Sequence, residues 1–227
     1  MPTPGKLYIV STPIGNLEDI TLRAIRVLKE VDLIAAEDTR HVKKLLHHYG
    51  ISKKVESYHQ NREESKADKL LHFLEAGSSV ALVSDAGTPG ISDPGLPVIR
   101  KALEANIEVI PIPGPSSAIA ALSVSGLPSD RFVFEGFLPR KRGKKMKRLA
   151  LLAEEERTII LFESPHRVLA TLEEMMEFFQ GRKIVVAREI TKMFEEFLRG
   201  DLSEILEKLK EKKKIQGEFT LILEGRP

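Results

Sequence analysis

The sequence of 227 residues contains no cysteine. This absence excludes a disulfide framework, a thiolate nucleophile and zinc or iron–sulfur sites with cysteine ligands, and it fits a reducing cytoplasm. A large excess of one charge sign is also missing, since 35 lysines and arginines face 33 aspartates and glutamates and leave a net charge of +2. So small an excess does not by itself indicate a nucleic-acid partner.

Long hydrophobic runs are absent as well. No uninterrupted apolar stretch approaches the roughly 18 residues of a membrane span, and the first residues lack the apolar core of a signal peptide. We therefore expect a soluble, cytoplasmic protein that does not engage a membrane. The chain does contain 42% hydrophobic residues, enough for a sizeable core, in a length that accommodates one large domain or two small ones.

Short β-branched runs, each ending in a glycine, proline or aspartate corner, alternate in the first half of the chain with segments of helical spacing. The predicted strands cover residues 7–10, 31–36, 80–83 and 109–112, and the predicted helices lie around residues 22–28, 70–74 and 98–103. This alternation indicates βαβ units with a largely parallel sheet, and therefore the α/β class.

Residues 111–117 interrupt the alternation, because three prolines and a glycine within five positions hold neither a helix nor a central strand. We place a domain junction there, with an N-terminal α/β domain at 1–113 and a C-terminal α/β domain at 114–227. The pattern then resumes, with predicted strands at 132–134, 158–162, 183–187 and 219–223 and helices around 169–179 and 202–209.

Two corners of the first half have the composition of ligand-binding loops. Residues 11–16 follow the first strand and precede a helix, the place where α/β proteins bind ligands, although the dinucleotide pattern G-x-G-x-x-G is missing and Pro13 lacks an N–H. Residues 84–95 hold three glycines, two prolines and two aspartates, which favours a cationic or amino-bearing ligand over a phosphate. The alternatives are an ordinary turn at the first corner and a rigid, aspartate-capped turn at the second.

Glu37 and Asp38 adjoin at the end of the second predicted strand. Two carboxylates can contribute to a metal site, but no histidine or third carboxylate completes this one, and pairing of Asp38 with Arg40 is the simpler interpretation. We predict no metal site.

The basic segment 139–148 contains seven lysines and arginines and no acid. Such a segment can contact phosphates electrostatically, and the alternative is a solvated loop that opens a helix. It lacks interleaved aromatic residues, so stacking on single-stranded bases is not indicated within it.

Six segments together resemble one family. They are residues 7–17, 35–40, 83–89, 113–117, 135–139 and 187–192. In this order and spacing the chain is similar to the small-subunit ribosomal RNA 2′-O-ribose methyltransferases of the tetrapyrrole methylase superfamily, from about Leu7 to Gly225. The resemblance implies two α/β domains with S-adenosyl-L-methionine in the cleft between them, a homodimer, and methyl transfer to the ribose of a decoding-centre cytidine in 16S rRNA of the small ribosomal subunit.

The resemblance also implies which residues contact the cofactor. Carried over by motif, they are Pro13, Ile14, Asp85, Ala86, Gly87, Thr88, Ser116, Ser117, Phe162, Ala187 and Glu218. Ser117 departs from the pattern, because relatives often carry alanine there. The first corner lacks the glycines of tetrapyrrole-modifying relatives, which favours the RNA branch of the superfamily.

Three residues of the matched motifs, Glu37, Glu189 and Lys192, are candidates for orienting or deprotonating the ribose 2′-hydroxyl. The resemblance does not rank them. Candidate RNA contacts are the cations Arg40, Arg140, Lys141, Arg142, Lys144 and Lys145. Two alternatives stay open, a methylase of a small tetrapyrrole-like molecule and a nucleotide-binding module without catalysis.

Overall fold

The computed structural model describes residues 3–59 and 63–226. The chain divides into two compact units, Met1–Ser116 and Ser117–Pro227, so the division lies just beyond the junction placed at 113/114 and within the same proline-rich segment. Each unit carries one sheet, and five strands of each sheet lie in the described part of the chain. No helix within these residues is long and apolar enough to cross a membrane.

The first unit has a parallel sheet. Its strands are β1 (Leu7–Val10), β2 (Leu33–Ala36), β3 (Val55–Ser57), β4 (Val80–Val83) and β5 (Val109–Ile112), in the order β3-β2-β4-β1-β5. Its helices are α1 (Leu22–Glu30), α2 (Thr39–His48), α3 (Glu63–Glu75) and α4 (Leu96–Glu104). Every neighbouring pair of these strands is parallel, which confirms the prediction for this half of the chain.

Helices cover both faces of this sheet, and its central strands therefore have two buried faces. β2 and β4 are buried at every position, and two separate apolar clusters lie on the two sides of the sheet. α1 shows how the sequence specifies one of these helices. The Thr21 hydroxyl accepts a hydrogen bond from the Ala24 N–H at 3.1 Å, and the helix buries Ala24, Val27 and Leu28 on one side.

The second unit has a mixed sheet. Its strands are β6 (Phe132–Phe137), β7 (Thr158–Glu163), β8 (Lys183–Arg188), β9 (Glu196–Asp201) and β10 (Phe219–Leu223), in the order β6-β7-β10-β8-β9. Its helices are α5 (Ser117–Ser123), α6 (Arg142–Leu152), α7 (Val168–Met175) and α8 (Leu202–Lys210). β6 and β7 are parallel, whereas β10 runs antiparallel to β7 and β8, and β8 and β9 form an antiparallel hairpin.

Candidate active site

Backbone and side-chain hydrogen bonds join the two ligand-type corners at the carboxyl edge of the first sheet. Thr12 and Gly87 exchange two backbone hydrogen bonds of 2.9 and 3.0 Å. The Thr12 hydroxyl donates to the Ser84 carbonyl at 3.0 Å, and the hydroxyls of Ser11 and Thr88 lie 2.8 Å apart. The corners after β1 and β4 therefore form one continuous structure, which includes the predicted cofactor contacts of both.

The proline-rich segment packs against the same place. A Cβ on Gly114 would lie 2.8 Å from the Ser11 Cβ, so only glycine permits this approach without a shift of the neighbour. Gly87 has a φ of +81°, and a Cβ there would lie 3.7 Å from Ile14 and 3.9 Å from the Pro115 carbonyl. Backbone conformation rather than lack of space therefore requires glycine at position 87.

The carboxylates of Glu37 and Asp85 lie beside these corners. The Asp38 N–H donates to Oδ1 of Asp85 at 3.0 Å, which joins the end of β2 to the loop after β4. Partial burial and the nearby Asp85 carboxylate raise the pKa of Glu37. A carboxylate with a raised pKa is suited to accept a proton near neutral pH.

Arg40 pairs with its own neighbour. Its guanidinium donates to both carboxylate oxygens of Asp38, at 3.1 and 2.7 Å, and holds the pKa of Asp38 well below its usual range. The sequence offers two interpretations of Asp38, a metal ligand or a partner of Arg40, and this ion pair is the second and simpler one. Arg40 itself remains exposed, so contact with RNA stays a prediction for this residue.

Two of the predicted contacts of the second unit, Phe162 and Ala187, share one face of its sheet. Phe162 and Ala187 are both register partners of Thr220, which lies between them on β10. Phe162 also contacts the rings of Phe134 and Phe137 edge to face, with centroids 5.0 and 5.6 Å apart. Thr220 is buried and was missed by the sequence analysis, because only strand pairing brings it between two residues of the matched motifs.

Glu189, Lys192 and Glu218 form a charged cluster where β8 ends and β10 begins. The Lys192 ammonium lies 2.9 Å from Glu189 and 3.1 Å from Glu218, and the Glu218 N–H donates to the Glu189 carboxylate at 3.0 Å. Burial acts to raise the pKa of Glu189, but the Glu218 N–H and Lys192 outweigh it and hold that pKa below its usual value. Burial acts to lower the pKa of Lys192, and the two carboxylates outweigh it and raise that pKa.

These pKa shifts give the three candidate catalytic residues different protonation states. Glu189 is ionised and Lys192 is protonated at neutral pH, so Lys192 is a hydrogen-bond donor rather than a base. Glu37 differs, because its pKa is shifted toward neutrality. The direction of the pKa shift thus distinguishes Glu37 from Lys192 in a way that the sequence does not.

Gly217 supports this cluster and was also missed by the sequence analysis. Its φ is +94°, and a Cβ would lie 2.4 Å from Cγ of Glu189. We expect Gly217→Ala to displace Glu189 and to lower the melting temperature by about 2–8 °C, the equivalent of roughly 1–2 kcal/mol of strain. Calorimetric melting measures this effect.

Gly143→Ala is the matched control, because a Cβ at this position in α6 meets nothing within 4 Å. Alanine is also the better helix former, so the control is expected to melt at the wild-type temperature or slightly higher. Equal melting temperatures for the Gly217 and Gly143 variants would contradict the proposed support of Glu189.

Most of the basic segment is helical, because α6 begins at Arg142. Carboxylates distant in sequence neutralise part of its charge. Arg148 pairs with Glu135 through its Nε at 2.6 Å. Arg140, Lys141, Arg142, Lys144 and Lys147 are exposed.

Lys145 corrects the list of expected RNA contacts. Its side chain is buried, with 6% of the residue exposed, because it forms an ion pair with Glu174 and lies 3.3 Å from the Thr171 hydroxyl. The Thr171 hydroxyl in turn donates to the buried Glu163 carboxylate at 2.7 Å. Lys145 therefore points into the second unit and is not available to a phosphate.

Comparisons with known proteins decide the family. The model of the family Tetrapyrrole (Corrin/Porphyrin) Methylases matches residues 6–206. The chain belongs to this family. Ribosomal RNA small subunit methyltransferase I from Synechocystis sp. is 54% identical over 97% of this chain and 79% of its own length, and the protein of the same name from Thermotoga maritima is 48% identical over 98% and 99%.

A solved structure of the family shows the same fold. Uroporphyrin-III C-methyl transferase from Thermus thermophilus complexed with S-adenyl homocysteine has a TM-score of 0.66 over 97% of each chain at 21% identity. Membership among the tetrapyrrole methylases confirms the predicted fold class and the methyltransferase class, with S-adenosylmethionine as methyl donor.

Proposed function

We propose that this tetrapyrrole methylase transfers a methyl group to the ribose 2′-hydroxyl of a decoding-centre cytidine in 16S rRNA. The observation that carries the proposal is the 54% identity, over nearly the whole chain, to a protein named for methylation of small-subunit ribosomal RNA. The exposed cations at the start of α6 are consistent with a polyanionic substrate.

The residues at the two sheet edges fit S-adenosylmethionine. An acidic group suits its positively charged sulfonium and amino groups, and Asp85 supplies one at the edge of the first sheet. The close approach of Gly114 to Ser11 brings the proline-rich segment against the corner after β1. We propose that the cofactor is held by Pro13, Ile14, Asp85–Thr88, Ser116 and Ser117, together with Phe162, Ala187 and Glu218.

The chemistry requires the acceptor oxygen to lie in line with the methyl group and to lose its proton. When bound, S-adenosylmethionine supplies an electrophilic methyl group. We propose that Glu37 accepts the 2′-hydroxyl proton and that Lys192, held protonated by Glu189 and Glu218, donates a hydrogen bond that orients the acceptor. Each role agrees with the direction in which the surroundings shift the pKa of the group.

The proposed assembly and location follow the same resemblance. We propose a homodimer that acts on the small ribosomal subunit in the cytoplasm, with no metal. Sedimentation at micromolar concentration tests the oligomeric state, and a monomer would contradict it.

Methyl transfer to ribosomal subunits tests the proposed function. The protein is incubated with labelled S-adenosylmethionine and small subunits from a strain that lacks the enzyme, and the label is then mapped by nuclease digestion. Label on one cytidine ribose is the expected result. Label on a base, or transfer only to a tetrapyrrole, would contradict the proposal.

Asp85→Asn is expected to weaken binding of S-adenosylmethionine by about tenfold, because it removes a negative charge beside the cationic cofactor. The amide retains an oxygen for the Asp38 N–H, so the local structure should persist. Calorimetry with S-adenosylhomocysteine, which has a neutral sulfur, provides the control and should show a smaller loss. An equal loss for both ligands would mean that the Asp85 charge does not recognise the sulfonium.

A further inference from the structure

The tip of the β8–β9 hairpin, residues 189–195, presents two large apolar side chains to solvent. Met193 is 91% exposed and Phe194 is 68% exposed. They directly follow Lys192, the proposed orienting group. Isolated exposed apolar residues are common on protein surfaces, but adjacent ones beside a candidate active site suggest a contact with another molecule.

The conformation of this tip is fixed. Glu189 and Thr191 have φ values of +52° and +67°, and for β-branched threonine such a value is a genuine outlier. The Thr191 N–H donates to the Glu195 carboxylate at 2.6 Å, and the Lys192 N–H donates to the Glu189 carbonyl at 2.9 Å. Strain of this kind persists only where the surrounding contacts impose it, so the tip is a preformed platform.

A segment with two exposed lysines is joined to the base of the hairpin. Lys213 and Lys214 are exposed in the segment that follows α8, and two contacts tie this segment to the base of the hairpin. Lys212 pairs with Glu196 at 2.7 Å, and Nε of Arg188 donates to the Gln216 carbonyl at 2.6 Å. An exposed aromatic ring with cations nearby is the arrangement that proteins use to bind single-stranded nucleic acid.

A second copy of the chain fits this surface less well than RNA. Stable protein interfaces bury about 1,200–2,000 Å², whereas two side chains contribute a small part of that area. The centres of such interfaces are also poor in charge, and here Lys192 and Glu195 flank the apolar pair.

We propose that Phe194, supported by Met193, stacks on an unpaired base of ribosomal RNA that neighbours the acceptor cytidine. Phe194 is then a positioning residue, since it fixes the strand while other groups act on the ribose. The inference rests on the proposed function and adds to it a requirement that the substrate be single-stranded at this point. Stacking on an aromatic ring tolerates any base, so it contributes affinity and placement rather than sequence recognition.

Steady-state methylation of small subunits tests this role. Phe194→Ala is expected to raise KM for the subunit roughly tenfold, while affinity for S-adenosylmethionine stays at the wild-type value. Phe194→Trp should restore KM, because tryptophan also stacks. Leu22→Ala is the matched control, since it removes a side chain that is 86% exposed on α1, and its KM should not change.

Phe194→Trp also provides a direct signal, because the chain has no other tryptophan. Its fluorescence should be quenched when unmethylated small subunits are added, as stacking on a base quenches indole emission. Quenching by increasing protein concentration alone would identify a second copy as the partner and overturn the proposal. If wild-type protein methylates the subunit but Phe194→Ala keeps the wild-type KM, this inference fails alone. If wild-type protein does not methylate the subunit, the proposed function fails and the inference fails with it.

Discussion

Glu37→Gln is expected to lower the single-turnover rate of methyl transfer by about 10²–10⁴-fold, the usual contribution of general base catalysis. Glutamine has the same shape but cannot accept the proton of the 2′-hydroxyl. Affinity for S-adenosylmethionine should stay close to the wild-type value, because the substitution leaves Asp85 charged. Single-turnover kinetics with saturating cofactor measure the rate, and calorimetry measures the affinity.

The pH dependence of the same reaction checks the assignment. A general base acts in its ionised form, so the wild-type rate should fall as pH decreases through the raised pKa of Glu37, and the glutamine variant should lack this fall. Glu104→Gln, at the exposed end of α4, is the control and should keep both the rate and the profile. A wild-type pH profile in the Glu37 variant would exclude this carboxylate as the base.

Replacing Arg140, Lys141 and Lys144 by glutamine is expected to weaken binding to the small subunit and to flatten its dependence on salt. These side chains are exposed, and each phosphate contact contributes about 0.7–0.9 to the slope of log affinity against log salt concentration. The loss of three contacts should reduce that slope by about 2 to 3. Binding is measured across a salt series for the variant and the wild type.

The matched control removes three exposed lysines from the first unit, Lys29, Lys43 and Lys44. It changes the net charge by the same amount, so a general effect of charge would appear in both variants. Equal slopes for the two variants would remove α6 from the RNA interface. Cofactor affinity should be unchanged in both.

The strands that the sequence predicts include every strand with strongly buried faces. β1, β4 and β10 begin and end where the runs of β-branched residues predict, because a nearly continuous apolar run is what a central strand requires. The two strands that were missed, β3 and β9, lie at the outer edges of their sheets. Both are only partly buried and lack a continuous apolar run, whereas the edge strands β5 and β6 contain β-branched or aromatic runs and were predicted.

The candidate site likewise contains residues that a local sequence pattern indicates and residues that only the folded structure brings into place. Corner motifs such as Asp85–Thr88 stand out in the sequence because glycine and proline are needed for their backbone geometry. The positions of Thr220 and Gly217 depend on pairing between strands that are far apart in the chain, and no local pattern indicates them. The pKa shift of Glu37 depends on burial and on Asp85, neither of which a single segment specifies.

The burial of Lys145 has a practical consequence for mutational screens of α6. An alanine scan of the basic residues is expected to rank Lys145 as the most sensitive position for stability, because its side chain is buried and its loss leaves the partly buried Glu174 with only the 3.6 Å contact to Arg142. The resulting loss of soluble enzyme would look like a loss of substrate recognition. A melting curve for each variant separates the two, and only variants that melt like the wild type map the surface that meets the ribosome.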